Sequence, residues 1–232
     1  MSRQSSDAII YKLHRYSDSS AVAKAFTLDH GRIKLFIPKA FSKKGGILTC
    51  FPCNIDFHMK ENSDLCKFYT FTPKPQYYHF INSHEIVIRL HYLFEIFDGL
   101  YEEREKDSYL MRLIMKIDDE NFRKAVSFTV RHMFERNGVL PDFSNCTSCG
   151  ETENHDGYIV GGEFFCRKCR SAGINVTNAV YTFMQCAQDN ALMKTHEVSR
   201  ENEIEIIKFF SFYYKSLYAK ELKSTQTLLS LI

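Results

Sequence analysis

Apolar and polar residues alternate through the first third of the chain, and beyond residue 83 the apolar positions recur at helical spacing. The alternation is clearest at 32–37, where Ile33, Leu35 and Ile37 share one face of a strand and Arg32, Lys34 and Phe36 share the other. Similar β-prone runs fall at 8–13, 21–26, 47–59 and 65–71. The polar cluster 16–20, the turn Asp29-His30-Gly31 and the breaker Lys43-Lys44-Gly45-Gly46 punctuate them. Five short strands ending at Pro73-Lys74-Pro75 predict a small closed barrel, for which an OB-type barrel is the natural candidate.

The later part reads as helix. Ile86, Leu90, Leu93, Phe97 and Leu100 mark the buried face of a first long helix. A second is expected to start at a Ser108 cap and to bury Leu110, Leu113, Ile114 and Ile117. A third runs from about Asn121 through Phe122, Val126, Val130 and Met133, and Gly138 and Pro141 end it. Two more are expected near 176–193 and 200–223, the last with Ile206, Phe210, Tyr213 and Leu217 on its core stripe.

Between the third and fourth helices stand Cys146-Thr-Ser-Cys149 and Cys166-Arg-Lys-Cys169. Two such pairs can face each other across a short loop and give four thiolates to one tetrahedral ion, so Cys146, Cys149, Cys166 and Cys169 are expected to hold one structural zinc. A site closed by four protein ligands has no position for water or substrate. His155, between the pairs, could replace one thiolate, but reads better as a loop residue. Gly161 and Gly162 read as a flexible lead into Phe164-Phe165.

Composition narrows the class. The 232 residues are 44% hydrophobic and 25% charged, ordinary for a globular protein. No apolar stretch is long enough for a membrane span, and the polar start does not resemble a signal peptide. The expectation is a cytoplasmic chain in a reducing compartment, where Cys50, Cys53, Cys66 and Cys186 stay thiols. Net charge is only +2, but residues 1–44 carry nine cations against Asp7, Asp18 and Asp29. That excess suggests a polyanion partner. Arg32, Lys34, Phe36, Lys39, Lys43 and Lys44 are the candidate DNA-binding residues, because a cationic strand with an aromatic offers phosphate contacts and a stacking surface.

Several stretches, in this order and spacing, resemble the RecO family of recombination mediators. They are Ser17-Asp-Ser-Ser20 leading to Phe26-Thr-Leu-Asp-His-Gly31-Arg-Ile33, Asn137-Gly-Val-Leu-Pro141 before the first cysteine pair, Gly161-Gly162 before the second, and Glu221-Leu-Lys-Ser224. The resemblance implies an α+β protein. Residues 1–75 would form an OB-fold DNA-binding domain, 76–142 and 174–232 a helical domain, and 143–173 an inserted zinc ribbon. It also implies a monomeric, non-enzymatic DNA repair protein of the bacterial cytoplasm and nucleoid. Such a protein binds single- and double-stranded DNA, anneals complementary strands and, with RecR, helps load RecA. A further implied partner is the acidic C-terminal tail of the single-stranded-DNA-binding protein. A pocket for it would pair cations with apolar residues, as Arg123, Lys124 and Arg131 do beside Phe122, Val126 and Phe134 on the third helix.

Two other classes compete with this one. A zinc-dependent nucleotide deaminase would need an HxE motif beside a CxxC pair, and the chain has neither that motif nor a GxxxxGK[ST] or HExxH sequence. A zinc-ribbon adaptor that binds only proteins is the alternative, and DNA binding is the property that separates the two.

Overall fold

The computed structural model describes residues 3–41, 46–59, 63–152, 156–187 and 195–232, which form two compact units, Met1–Glu120 and Asn121–Ile232. The first unit begins with β1 (Gln4–Arg15), β2 (Ala21–Thr27), β3 (Gly31–Ile37), β4 (Phe51–His58) and β5 (Leu65–Pro73). These close into a barrel of order β1-β2-β3-β5-β4, with β3 and β5 parallel and every other neighbouring pair antiparallel. The interior follows the alternation of the sequence. Ala21, Ala23 and Ala25 of β2 and Ile33, Leu35 and Ile37 of β3 are buried with Ile55, Phe57 and Phe68. Small residues on one side thus make room for large ones on the other.

The outer face of β1 and β2 is also buried, which the alternation alone does not anticipate. Helix α2 (His84–Leu100), which follows the short helix α1 (His79–Asn82), packs against it. Tyr11 stacks on Phe94 with ring centroids 4.9 Å apart, and Phe26 meets Phe97 at 4.7 Å. This packing carries the first compact unit past the last barrel strand, to Glu120 instead of ending near residue 75. After α2 the chain returns to β3, and Arg104 N donates to the Arg32 carbonyl at 2.8 Å. The approach is so close that a Cβ on Gly31, whose φ is +65°, would lie 2.1 Å from the Glu105 carbonyl oxygen. Only glycine fits there. Helix α3 (Ser108–Ile114) is capped by Asp107, not Ser108: the Asp107 carboxylate accepts from Leu110 N at 2.8 Å and from the Tyr101 hydroxyl at 2.7 Å.

The second unit opens with α4 (Phe122–Arg136) and then forms a three-stranded sheet of order β7-β6-β8. Its strands are β6 (Gly157–Val160), β7 (Glu163–Cys166) and β8 (Ile174–Val176), so the ribbon runs three residues beyond the expected end at 173. Gly161 (φ +62°) and Gly162 (φ +87°) form the tight β6–β7 turn. Both lie in the left-handed region that such a two-residue turn requires, so they fix the hairpin and do not loosen it. Helices α5 (Asn178–Cys186), α6 (Arg200–Tyr218) and α7 (Lys223–Leu231) follow. The single helix expected over 200–223 ends at Ala219, which takes φ +51° as a left-handed cap. Ile206, Phe210 and Tyr213 are core as expected, whereas Leu217 is exposed.

The ribbon shares its core with these helices. Phe143 lies 5.8 Å from Phe164 of β7 and 5.9 Å from Phe209 of α6, and Phe164 lies 5.5 Å from Tyr181 of α5. The four-cysteine segment is therefore packed into its unit. Among the described residues, no helix is long and apolar enough to cross a membrane.

Candidate metal centre and nucleic-acid interface

Cys146 and Cys149 lie on the turn before β6, Cys166 closes β7, and Cys169 sits on the turn that follows. Backbone bonds shape both knuckles: Gly150 N donates to the Cys146 carbonyl at 2.8 Å, and Cys169 N to that of Cys166 at 3.0 Å. All four Sγ atoms lie within 4.8 Å of one another, and all four thiols are free. Cys149 and Cys166 Sγ are 3.8 Å apart. That is the edge length of a tetrahedron with metal–sulfur bonds of about 2.3 Å. The four cysteines can thus hold one metal ion with no further change of partners.

The local electrostatics suit thiolates. Burial raises the Cys146 pKa, but backbone N–H groups of Cys166, Cys149 and Ser148 outweigh it and pull the thiol down to about 6. The Cys166 N–H to Cys146 Sγ distance is 3.3 Å. The neighbouring Cys149 and Cys166 sulfurs push Cys169 up to about 12. Sulfurs this close compete for protons until a cation neutralises them. Outside the cluster, burial pushes Cys50 and Cys53 up to about 12, so that CxxC pair consists of inert core thiols.

On the barrel, Arg32, Lys34 and Phe36 do share the outer face of β3, but the two cations have protein partners. Asp98 of α2 is a hub: Lys24 Nζ lies 2.7 Å away, Lys12 Nζ and Arg32 Nη1 each 3.5 Å, and the Tyr11 hydroxyl donates to it at 3.1 Å. Arg32 Nη1 also donates to the Asp98 carbonyl at 2.9 Å, and Lys34 pairs with Glu103. Burial raises the Asp98 pKa, but the Lys24 hydrogen bond and the charges of Lys24 and Lys12 override it and hold the carboxyl below its ordinary value.

A less committed surface lies at the end of the barrel where β1, the β1–β2 turn and the segment after β3 meet. Tyr16 is 70% exposed and meets Phe36 edge-on at 5.6 Å. The Arg15 guanidinium lies 4.9 Å from the exposed Phe41 ring, and Phe41 N donates to the Ser19 carbonyl at 3.2 Å, tying the two segments together. Lys39 is exposed beside them, and Lys43 and Lys44 lie outside the described residues. Arg15, Tyr16 and Phe41 escape a reading of the sequence because they stand at a strand end and in turns, where no periodicity marks a face. Their one signal is aromatic residues in otherwise polar turns.

The family model described as Recombination protein O C terminal matches residues 88–226. The chain belongs to the RecO family. No curated protein matches it. The matched region includes the cysteine centre and helices α4 to α6, whereas the barrel strands precede it.

In this RecO-family chain the three cations expected to receive a partner's tail stand on α4, but their apolar companions do not face solvent. Phe122, Val126 and Phe134 are all buried. Arg131 is itself only 8% exposed and is held by Glu135 at 2.7 and 3.2 Å. Arg123 covers the Phe122 ring at 4.8 Å and lies 3.7 Å from the buried Glu203, and Lys124 is half-buried. An open groove lies instead between α6 and α7. Its volume is about 410 Å³, and Phe212, Leu222 and Leu229 line it with Lys208, Lys215 and Lys223. His155 lies outside the described residues.

Proposed function

We propose that this chain is a non-enzymatic DNA-repair mediator that binds single- and double-stranded DNA through its barrel and anneals complementary strands. In that role it acts with RecR to assist RecA loading in the bacterial cytoplasm, as a monomer, and carries one structural zinc. Membership of the family supports the repair role. The observation that carries the DNA reading is the exposed group of Arg15, Tyr16, Lys39 and Phe41, with the half-buried Phe36 against Tyr16. Exposed rings with cations beside them give bases a stacking surface and phosphates a counter-charge without reading sequence, which annealing requires. Zinc is the favoured metal because a closed set of four thiolates suits a soft tetrahedral ion with no redox chemistry of its own.

The test is a single-strand gel shift over a salt series. Replacing Arg15 and Lys39 by Ala should weaken binding and flatten the log–log salt dependence by about 0.7 for each phosphate no longer neutralised. Arg32→Ala and Lys34→Ala should act mainly on stability, because those side chains hold Asp98 and Glu103. No binding by the parent protein even at low salt would instead favour the protein-only adaptor.

The acidic tail of the single-stranded-DNA-binding protein is assigned here to the α6–α7 groove, away from α4. The lysines there sit in exposed pairs, Lys215 with Glu221 at 2.6 Å and Lys208 with Glu205 at 3.2 Å. Such exposed pairs contribute little and yield readily to a better anion. Phe212, 61% exposed, offers the apolar contact. In calorimetry with the tail peptide, Phe212→Ala should cost about tenfold or more in affinity, with Arg131→Ala close to the parent. The reverse pattern would return the pocket to α4.

A further inference from the structure

We infer that a single DNA strand leaves the Tyr16–Phe36–Phe41 surface and crosses the barrel wall to a second stacking platform, Tyr69. This rests on the DNA reading above and extends it to a site on β5. Three independent features converge there. First, β3 and β5 run side by side in parallel, with Phe36 opposite Lys67, and both side chains point outward. The half-buried aromatic of β3 is therefore followed by a cation on the next strand, a single interstrand spacing of about 4.8 Å away.

Second, the pairing of β4 with β5 is irregular at this point. Asp56 opposes Thr70 and Phe57 opposes Phe68, so Tyr69 is the extra residue with no opposite number. A bulge of this kind re-aims side chains, and here Tyr69 and Thr70 both turn outward, with Tyr69 43% exposed. Third, two cations flank that ring. Arg3 Cζ lies 5.2 Å and Lys67 Nζ 5.5 Å from its centroid. Asp56 holds Arg3 in place at 2.6 Å and accepts from the Thr70 hydroxyl at 2.7 Å. It is the carboxylate at this end of the stripe.

The result is an outward band running Tyr16, Phe36, Lys67, Tyr69, Arg3, a pair of rings followed by cation, ring and cation. Rings with cations between and beside them match a nucleic-acid strand, which offers bases for stacking and phosphates for counter-charge. It fits less well with the β1–β3 face, where Lys12, Lys24, Arg32 and Lys34 are held by Asp98 and Glu103; Arg3 of the band is paired too, with Asp56, but its side chain is 56% exposed against 16% for Arg32.

The chain has no tryptophan, so single-tryptophan variants of the full protein report stacking site by site. Tyr16→Trp, Tyr69→Trp and, as a control on α3, Tyr109→Trp are titrated with an oligothymidylate longer than about 16 nucleotides, the upper site size for such a barrel. Quenching at both 16 and 69 but not at 109 is the expected result. Tyr69→Ala should weaken binding about 5- to 140-fold, which corresponds to about 1–3 kcal/mol per stacked base, and Tyr69→Phe should restore it. Quenching at 16 alone, with Tyr69→Ala binding like the parent, overturns the path while the DNA reading stands. Absence of both quenching and binding, measured by anisotropy, overturns the DNA reading and the path together.

Discussion

Cys146→Ser or Cys169→Ser is expected to release the metal and to destabilise the second unit by more than about 4 kcal/mol. Chelation of the parent protein should do the same. The reason is linkage: four thiolates brought within 4.8 Å are folded only at the cost of their mutual repulsion, and the ion removes it. Damage should not stop at the ribbon. Phe164 of β7 packs on Tyr181 of α5, and Phe143 touches Phe209 of α6, so loosening the knuckles withdraws aromatic surface from both helices. Metal analysis should find one equivalent in the parent and less than one in the variants. Calorimetry should record a midpoint lower by at least about 8 °C, given roughly 2–4 °C per kcal/mol for a chain of this length. Hydrogen exchange should show reduced protection in α5 and α6 as well as in residues 143–176. A metal-free parent, or variants that melt with it, would contradict the assignment.

Asp98→Ala is expected to destabilise the first unit by about 2 kcal/mol. Removing one member of a half-buried ionic cluster leaves the others uncompensated. Here those are Lys24 and Arg32, with Lys12 and the Tyr11 hydroxyl nearby. Asp98→Asn keeps an acceptor for Tyr11 and Lys24 and should cost less. The parent should show the matching pH dependence. A carboxyl whose folded pKa is depressed contributes stability that is fully present above the unfolded value of about 3.9 and is lost as pH falls through the lower folded value. Urea titrations at pH 7 and at pH 3 measure both effects, and the gap between parent and Asp98→Ala should narrow at the lower pH. An unchanged gap would mean that the hub is not ionic in origin.

The sequence carried the parts of this fold that rest on local period or fixed spacing. β3 alternates because one of its faces is sealed in the barrel, and two CxxC pairs can converge whatever surrounds them. What it hid depends on contacts between distant segments. Ile9, Tyr11 and Phe26 sit on the outer faces of their strands, yet α2 buries them, so no rule of inside and outside could assign them. Arg32 and Lys34 looked like free cations because Asp98 and Glu103 lie more than sixty residues away in the chain. On α4, Arg131 shares a stripe with buried residues, and helical spacing alone does not say which cations stay in water. The break at Ala219 is invisible to composition, since alanine is the best helix former and takes φ +51° only under tertiary demand.

The closure of the barrel bears on how anything can hold on to it. Each of its five strands is bonded on both sides, β1 long enough to serve β2 at one end and β4 at the other. Among the described residues, each strand is therefore flanked by another over at least part of its length, and no full-length free edge remains for an incoming chain to extend as an added strand. Whatever grips the paired part of this wall must therefore recognise side chains, and a substitution there changes affinity without creating a template for aggregation. Free edges belong to the ribbon, where β7 and β8 flank β6 and an isolated bridge from Asp142 to Glu163 already shields one side.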